Sequence, residues 1–177
     1  IVLGKGLGGS LFPLAAVLVR EELADVSQRS VGHYTHEKSP LAAAAGLATL
    51  EVIEQENLLA KSKLLGRQMR EQLQQLASNE PIIKQVRGVG LAVAVEIATD
   101  GAGGSDAAER IMFECLRRGL SFKVSAGCVL TLTPPLTISE EQLGEALAIL
   151  KQSIVAVARQ VKSVSTGAPL RQTESIA

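Results

Sequence analysis

Val2-Leu3-Gly4-Lys5-Gly6-Leu7-Gly8-Gly9-Ser10-Leu11-Phe12-Pro13-Leu14-Ala15-Ala16-Val17 is the stretch on which the reading of this chain turns. Its apolar start, Ile1-Val2-Leu3, reads as a buried strand, and Gly4 to Gly9 reads as a tight turn. Leu14 to Val19 is an unbroken apolar run bounded by Pro13 and Arg20-Glu21-Glu22. Such a run fits a strand buried on both faces of a parallel sheet. The turn satisfies G-x-G-x-x-G, but a dinucleotide fingerprint ends on a helix N-terminus and needs an acidic residue after a second strand. Here Phe12-Pro13 and a strand-like run follow, with no such acidic residue. A phosphate loop needs Gly-Lys followed by Ser or Thr, and Gly6 stands in that place. What remains is a lysine between two glycines at the end of a strand. One reading is a solvated loop lysine. The other is an amine nucleophile, because small neighbours let a carbonyl carbon approach and burial favours the neutral amine.

Downstream, Ser39 caps and Pro40 starts a helix over Leu41 to Ile53, where Pro costs no hydrogen bond. Its Ala42-Ala43-Ala44-Ala45 stretch is small enough for another backbone to approach closely. A second helical pattern runs from Leu58 to Leu76, with Leu58, Leu65 and Leu73 on one side, and stops at Ser78-Asn79-Glu80-Pro81. Val86-Arg87-Gly88-Val89-Gly90 leads into a strand over Leu91 to Ile97. A glycine-rich loop, 100–105, precedes an amphipathic helix over 106–118 that Gly119 closes. Strands at 121–124 and 129–133 follow. Pro134-Pro135 breaks the chain, and Ser139 with Gln142, in capping-box spacing, starts a last helix to about Val161.

Composition bounds the function classes. The chain has 177 residues, 46% hydrophobic, 20% charged and 2% aromatic, with 18 basic residues against 18 acidic ones. That length supports a packed core and excludes disordered or fibrous classes. A neutral, aromatic-poor chain argues against nucleic acid. No apolar run approaches the roughly 18 residues of a membrane span. Cys115 and Cys128 make no disulfide framework, and a reducing, cytoplasmic setting suits them. The apolar start without methionine or targeting pattern is expected to be a strand within a larger protein, of which this is the C-terminal part.

Gly32-His33-Tyr34-Thr35-His36-Glu37-Lys38-Ser39-Pro40 gathers both histidines and the tyrosine ahead of a helix. A helix start with Thr or Ser nearby is a natural phosphate seat, and a polar helix-lead loop with an ordinary cap is the plain alternative. His33-x-x-His36 lacks a third ligand at clear spacing, so no metal is expected.

These residues match a family. Val2 to Val17 resembles the Schiff-base lysine segment of class III, ornithine/4-aminobutyrate-type, pyridoxal-phosphate aminotransferases. Thr35-His36-Glu37-Lys38-Ser39-Pro40-Leu41-Ala42 resembles its Thr-aromatic-Gly-Gly-Asn-Pro-Leu-Ala segment. Val86-Arg87-Gly88-Val89-Gly90-Leu91 resembles its Arg-Gly-x-Gly segment, and Leu132-Thr133-Pro134-Pro135-Leu136 its Pro-Pro-Leu strand end. The four motifs occur in the family's order over roughly residues 1–160.

The resemblance implies an α/β fold: the C-terminal part of a fold-type I pyridoxal-phosphate enzyme. Residues 1–38 would end the large cofactor domain, 39–80 form connecting helices, 81–162 form a small α+β domain, and 163–177 a flexible tail. It implies that Lys5 binds pyridoxal 5'-phosphate covalently and shuttles the proton, the cofactor acting as electron sink. Thr35 would hold the phosphate of the cofactor in a neighbouring subunit, which implies a homodimer with shared active sites and a small amine or amino-acid substrate. The implied reaction is transamination to a keto acid.

Two departures qualify this. His36-Glu37-Lys38-Ser39 replaces aromatic-Gly-Gly-Asn. Thr131 stands where many members carry an arginine that pairs with the substrate α-carboxylate, and a threonine cannot make that bidentate contact. The His36-Glu37-Lys38-Ser39-Pro40 and Phe122-Lys123-Val124-Ser125 segments resemble an outlying branch of this fold that includes ammonia-lyases and epimerases, with Lys123 or the His33/His36 pair as candidates for holding a phosphonate or phosphate on the substrate. The family's pyridine-nitrogen aspartate, stacking aromatic and Gly-Ser turn lie upstream of the lysine, so this chain alone would hold half an active site and would not catalyse. A non-catalytic dimerisation module is the reading from outside enzymology.

Overall fold

The structure, a computed structural model, describes residues 1–24, 35, 37–98 and 104–165. Contacts divide the chain into two compact units, Ile1–Leu59 and a second from Ala60 onward.

In the first unit β1 (Val2–Leu3) pairs antiparallel with β2 (Ala16–Val17), Val2 facing Val17 and Leu3 facing Ala16. Between them lies a 3-10 turn over Lys5–Gly8. A short α1 (Glu21–Ala24) follows, and then α2 (Pro40–Gln55). α2 begins as the sequence predicts: Pro40 occupies its first turn and the Ala42 N–H donates to the Ser39 hydroxyl. Two expectations are corrected. β2 is two residues long and antiparallel to its neighbour, and the strands are not buried: Ile1 and Val2 are 80% and 79% exposed. A two-stranded ladder of two residues cannot cover its own faces, and no described element of this unit supplies a further strand.

The second unit is built on α3 (Leu58–Ala77), of which all but the first two residues belong to it. A four-stranded antiparallel sheet follows, in the order β3 (Ile83–Val89), β4 (Ala92–Ile97), β6 (Val129–Leu132), β5 (Lys123–Ser125). α4 (Gly104–Arg117) and α5 (Glu140–Ser165) complete it. The strand β3 is an addition to the sequence reading, which began the sheet at Leu91. Charged and glycine residues hide β3, because one of its faces is polar and open while Val86 packs inward. Val93, Val95 and Ile97 of β4 and Leu130 and Leu132 of β6 form one wall of the core. Ile111 and Cys115 of α4, Leu147, Leu150 and Ile154 of α5, and Leu65, Met69 and Leu73 of α3 pack with them in the same core. Period two on the strands and steps of three and four on the helices bring these apolar side chains together. The capping box forms in both directions: Gln142 N–H donates to Ser139 Oγ and Ser139 N–H to Gln142 Oε1, each at 3.0 Å. α5 runs four residues past the expected Val161. The rest of the tail lies outside the described residues.

Candidate functional site

β1 delivers the chain to Lys5, whose backbone takes φ +51°. This left-handed conformation is uncommon for a residue with a side chain and carries strain. The turn closes through Gly9 N–H to the Gly6 carbonyl at 3.0 Å, with Gly9 at φ +64°. Glycine is favoured at position 9 on two counts, since a Cβ there would also lie 2.9 Å from Thr49 Oγ1 of α2. Gly46, one turn earlier on α2, is buried; a Cβ on it would meet Leu14 Cδ2 at 2.5 Å and sit 3.7 Å from the Leu7 carbonyl oxygen. The lysine turn therefore presses against α2 at Gly46 and Thr49, just beyond the Ala42–Ala45 stretch at which a close approach was expected. Lys5 itself is exposed, so the expected burial is corrected. No heavy atom lies within 4 Å of where a Gly6 side chain would begin, which leaves open space beside the lysine.

Thr35 stands at an exposed turn position five residues before α2. Lys38 lies at φ +59° and pairs with Glu37 at 3.8 Å. His33 and His36 lie outside the described residues.

In the second unit the sheet turns one face to the core and leaves the other polar. Register sets the open face: Arg87 faces Ala94, Ala94 faces Thr131, and Thr131 faces Lys123. The adjoining row runs Gln85, Glu96, Val129, Ser125. Lys123 and Thr131 are thus brought side by side, and Thr131 Oγ1 donates to Ser125 Oγ at 3.0 Å. At the β3 side, Glu96 accepts from Lys84 Nζ at 2.7 Å and from Arg87 at 2.9 Å, while Arg87 also donates to Gln85 at 2.9 Å. The Lys84 hydrogen bond first, and then Arg87, hold the Glu96 carboxyl below its usual range, and Lys84 is raised in turn by Glu96. Among the described residues no hydrogen bond or ion pair engages the Lys123 side chain. A cavity of about 210 Å³ opens beside this β5–β6 pair, lined chiefly by apolar groups such as Met69, Phe122 and Leu147, with Lys123 and Thr131 on its wall.

Three features escaped the sequence reading. The seating of Gly9 on Thr49 depends on two segments forty residues apart. Ser125 beside Thr131 depends on strand register, for which the only signal was the match of Val124 and Leu130 as inward residues. The ion cluster around Glu96 depends on β3 being a strand.

Comparison with known proteins covers both units of the chain. The sequence model of the aminotransferase class-III family matches residues 1–154. The chain is 46% identical over 162 residues to (R)-1-hydroxy-2-aminoethylphosphonate ammonia-lyase of Vibrio splendidus, covering 90% of this chain and 34% of that protein. It is 35% identical over 171 residues to diaminobutyrate–2-oxoglutarate aminotransferase of Rhizobium meliloti, covering 90% and 36%. The solved structure of ornithine aminotransferase from Toxoplasma gondii superposes with a TM-score of 0.83 at 31% identity, covering 91% of this chain and 37% of that one. The chain spans about a third of the length of the curated relatives it matches. With the family match extending from the lysine turn through the small sheet to the middle of α5, the chain belongs to the class-III aminotransferase family.

Proposed function

We propose that this chain is the lysine-bearing and small-domain part of a pyridoxal-phosphate-dependent enzyme, working in the cytoplasm on the amino group of a small amine or amino acid. The observation that carries it is the Lys5 turn. A strained, exposed lysine at φ +51° stands between glycines, on a turn pressed against α2, with open space beside it. An aldehyde-bearing ring needs that access, and a fixed turn limits where the amine points. The described residues therefore fit the cofactor. Bound there, pyridoxal phosphate supplies an electron sink for the carbon that bears the amino group. Lys5 attaches the cofactor and moves a proton at its ε-nitrogen. Thr35, from an exposed turn, holds phosphate across a homodimer interface. The apolar residues left open on this unit, such as Leu11, Val17, Leu41 and Leu47, support a covering by the rest of the subunit and by a second one. Residues 1–38, 39–80 and 81–162 serve in this reading as the end of the cofactor domain, the connecting helices and the small domain.

Transamination to a keto acid is the reading the family supports. Elimination of ammonia is the second, favoured by the neutral Thr131–Ser125 pair and by the 46% identity to an ammonia-lyase. The test uses the whole protein. Pyridoxal phosphate is expected to give a yellow protein that borohydride bleaches while fixing the cofactor on Lys5, and Lys5→Ala is expected to stay colourless. Label on another lysine overturns the proposal. Turnover that needs a keto acid marks transamination, and ammonia release without one marks the lyase.

A further inference from the structure

We infer that Lys123, with the Thr131 and Ser125 hydroxyls, forms a recognition site for a tetrahedral oxyanion, a phosphonate or phosphate group carried by the amine substrate. This rests on the reading of the whole protein as a pyridoxal-phosphate enzyme whose small domain meets the substrate.

Three observations converge. First, β5–β6 pairing sets Lys123 directly opposite Thr131 on the open face of the sheet, where facing side chains start about 5 Å apart. Second, Thr131 donates its proton to Ser125 Oγ at 3.0 Å, which leaves the Ser125 hydroxyl proton to donate outward beside the ammonium. Third, the charges of this face are unevenly committed. Arg87, in the same row as Lys123, spends its guanidinium on Glu96 and Gln85. Lys84 is likewise spent on Glu96. Lys123 is exposed and its side chain has no such partner among the described residues.

The donor set selects the shape of the anion. A planar carboxylate is served best by an arginine fork with two parallel N–H donors, and the one guanidinium in this row is occupied. A compact ammonium with three donors, flanked by rotating hydroxyls, distributes separate hydrogen bonds over the three oxygens of a tetrahedral group. Such a group also brings more negative charge than a carboxylate to the single cation.

The test compares 2-aminoethylphosphonate with β-alanine, its carboxylate counterpart, by titration calorimetry on the cofactor-loaded whole protein. The phosphonate is expected to bind at least about tenfold more tightly, the size of one charge-assisted contact. Lys123→Gln is expected to remove that preference, Lys123→Arg to retain most of it, and Thr131→Val to reduce it, all with the cofactor colour unchanged. A preference that survives Lys123→Gln, equal binding of the two probes, or binding of neither overturns the inference. Loss of colour in Lys123→Gln with the preference intact reassigns the site to the cofactor's phosphate and overturns it too. Should the wild type develop no colour on Lys5, the enzyme reading fails separately, and the same titration on the cofactor-free whole protein still reports the anion site.

Discussion

Replacing Gly66 by alanine tests how α3 is fixed to the sheet that presents Thr131 and Lys123. In most helices Gly→Ala stabilises by about 1 kcal/mol through backbone entropy and propensity. Here the sign reverses. Gly66 is buried, and a Cβ built on it overlaps the carbonyl carbon and oxygen of Gly90 and comes within 2.9 Å of its Cα. That backbone is the β3–β4 turn, with Gly90 at φ +54°, so the obstacle is not the free end of a side chain. Relieving the overlap requires the turn to retreat by more than the length of a hydrogen-bond tolerance. Two contacts then go with it: Arg70 to the Gly90 carbonyl at 3.3 Å and Leu91 N–H to Ser62 Oγ at 3.3 Å. Overpacking costs about 1–3 kcal/mol, and the two hydrogen bonds about 1 each. Setting the helix gain of about 1 against these leaves a net loss of about 2–4 kcal/mol. Urea denaturation followed by circular dichroism reads it as a lower midpoint at unchanged slope. Gly144→Ala in α5, where a Cβ meets nothing within 4 Å, is the control and is expected to gain about 1 kcal/mol. A Gly66→Ala protein as stable as wild type would refute the packing argument.

Two further outcomes follow from the charges and caps. Because Lys84 and Arg87 hold Glu96 below its ordinary value of 4.5, its contribution to stability is present above that value and is lost as the pH falls through the depressed folded-state value. The destabilisation caused by Glu96→Gln near neutral pH is therefore expected to vanish well below pH 4.5; a difference that persists in acid would place its cause elsewhere. Ser139→Ala removes the Oγ that caps α5 and is expected to cost about 1 kcal/mol in the same urea assay, with Gln142→Ala adding little on top, since the two residues act as a reciprocal pair.

Much of the candidate site was legible before folding was considered. A lysine between glycines, with Pro13 and an apolar run beyond, is a local pattern, and its chemistry depends on neighbours one or two positions away. The Ser39-Pro40 helix start and the Ser139/Gln142 capping box are equally local, and both form as read. Burial was misjudged at Ile1-Val2-Leu3, because apolar composition records what a segment avoids and not whether the described residues supply its cover. β3 was missed because a strand with one wet face carries Lys84, Arg87 and Gly88, residues that propensity assigns to turns.

By itself, then, the amino-acid order determined which groups are candidates for reactive chemistry, which residues cap, and where helices start and stop, since those depend on interactions within a turn or two of chain. Tertiary structure alone decided that Gly46 and Thr49 of α2 seat the Lys5 turn, and that Lys123, Thr131 and Ser125 share one face while Arg87 is drawn off to Glu96. Those pairings are fixed by close backbone approach and by strand register, and a shift of one residue in register would turn the shifted strand's side chains to the opposite face.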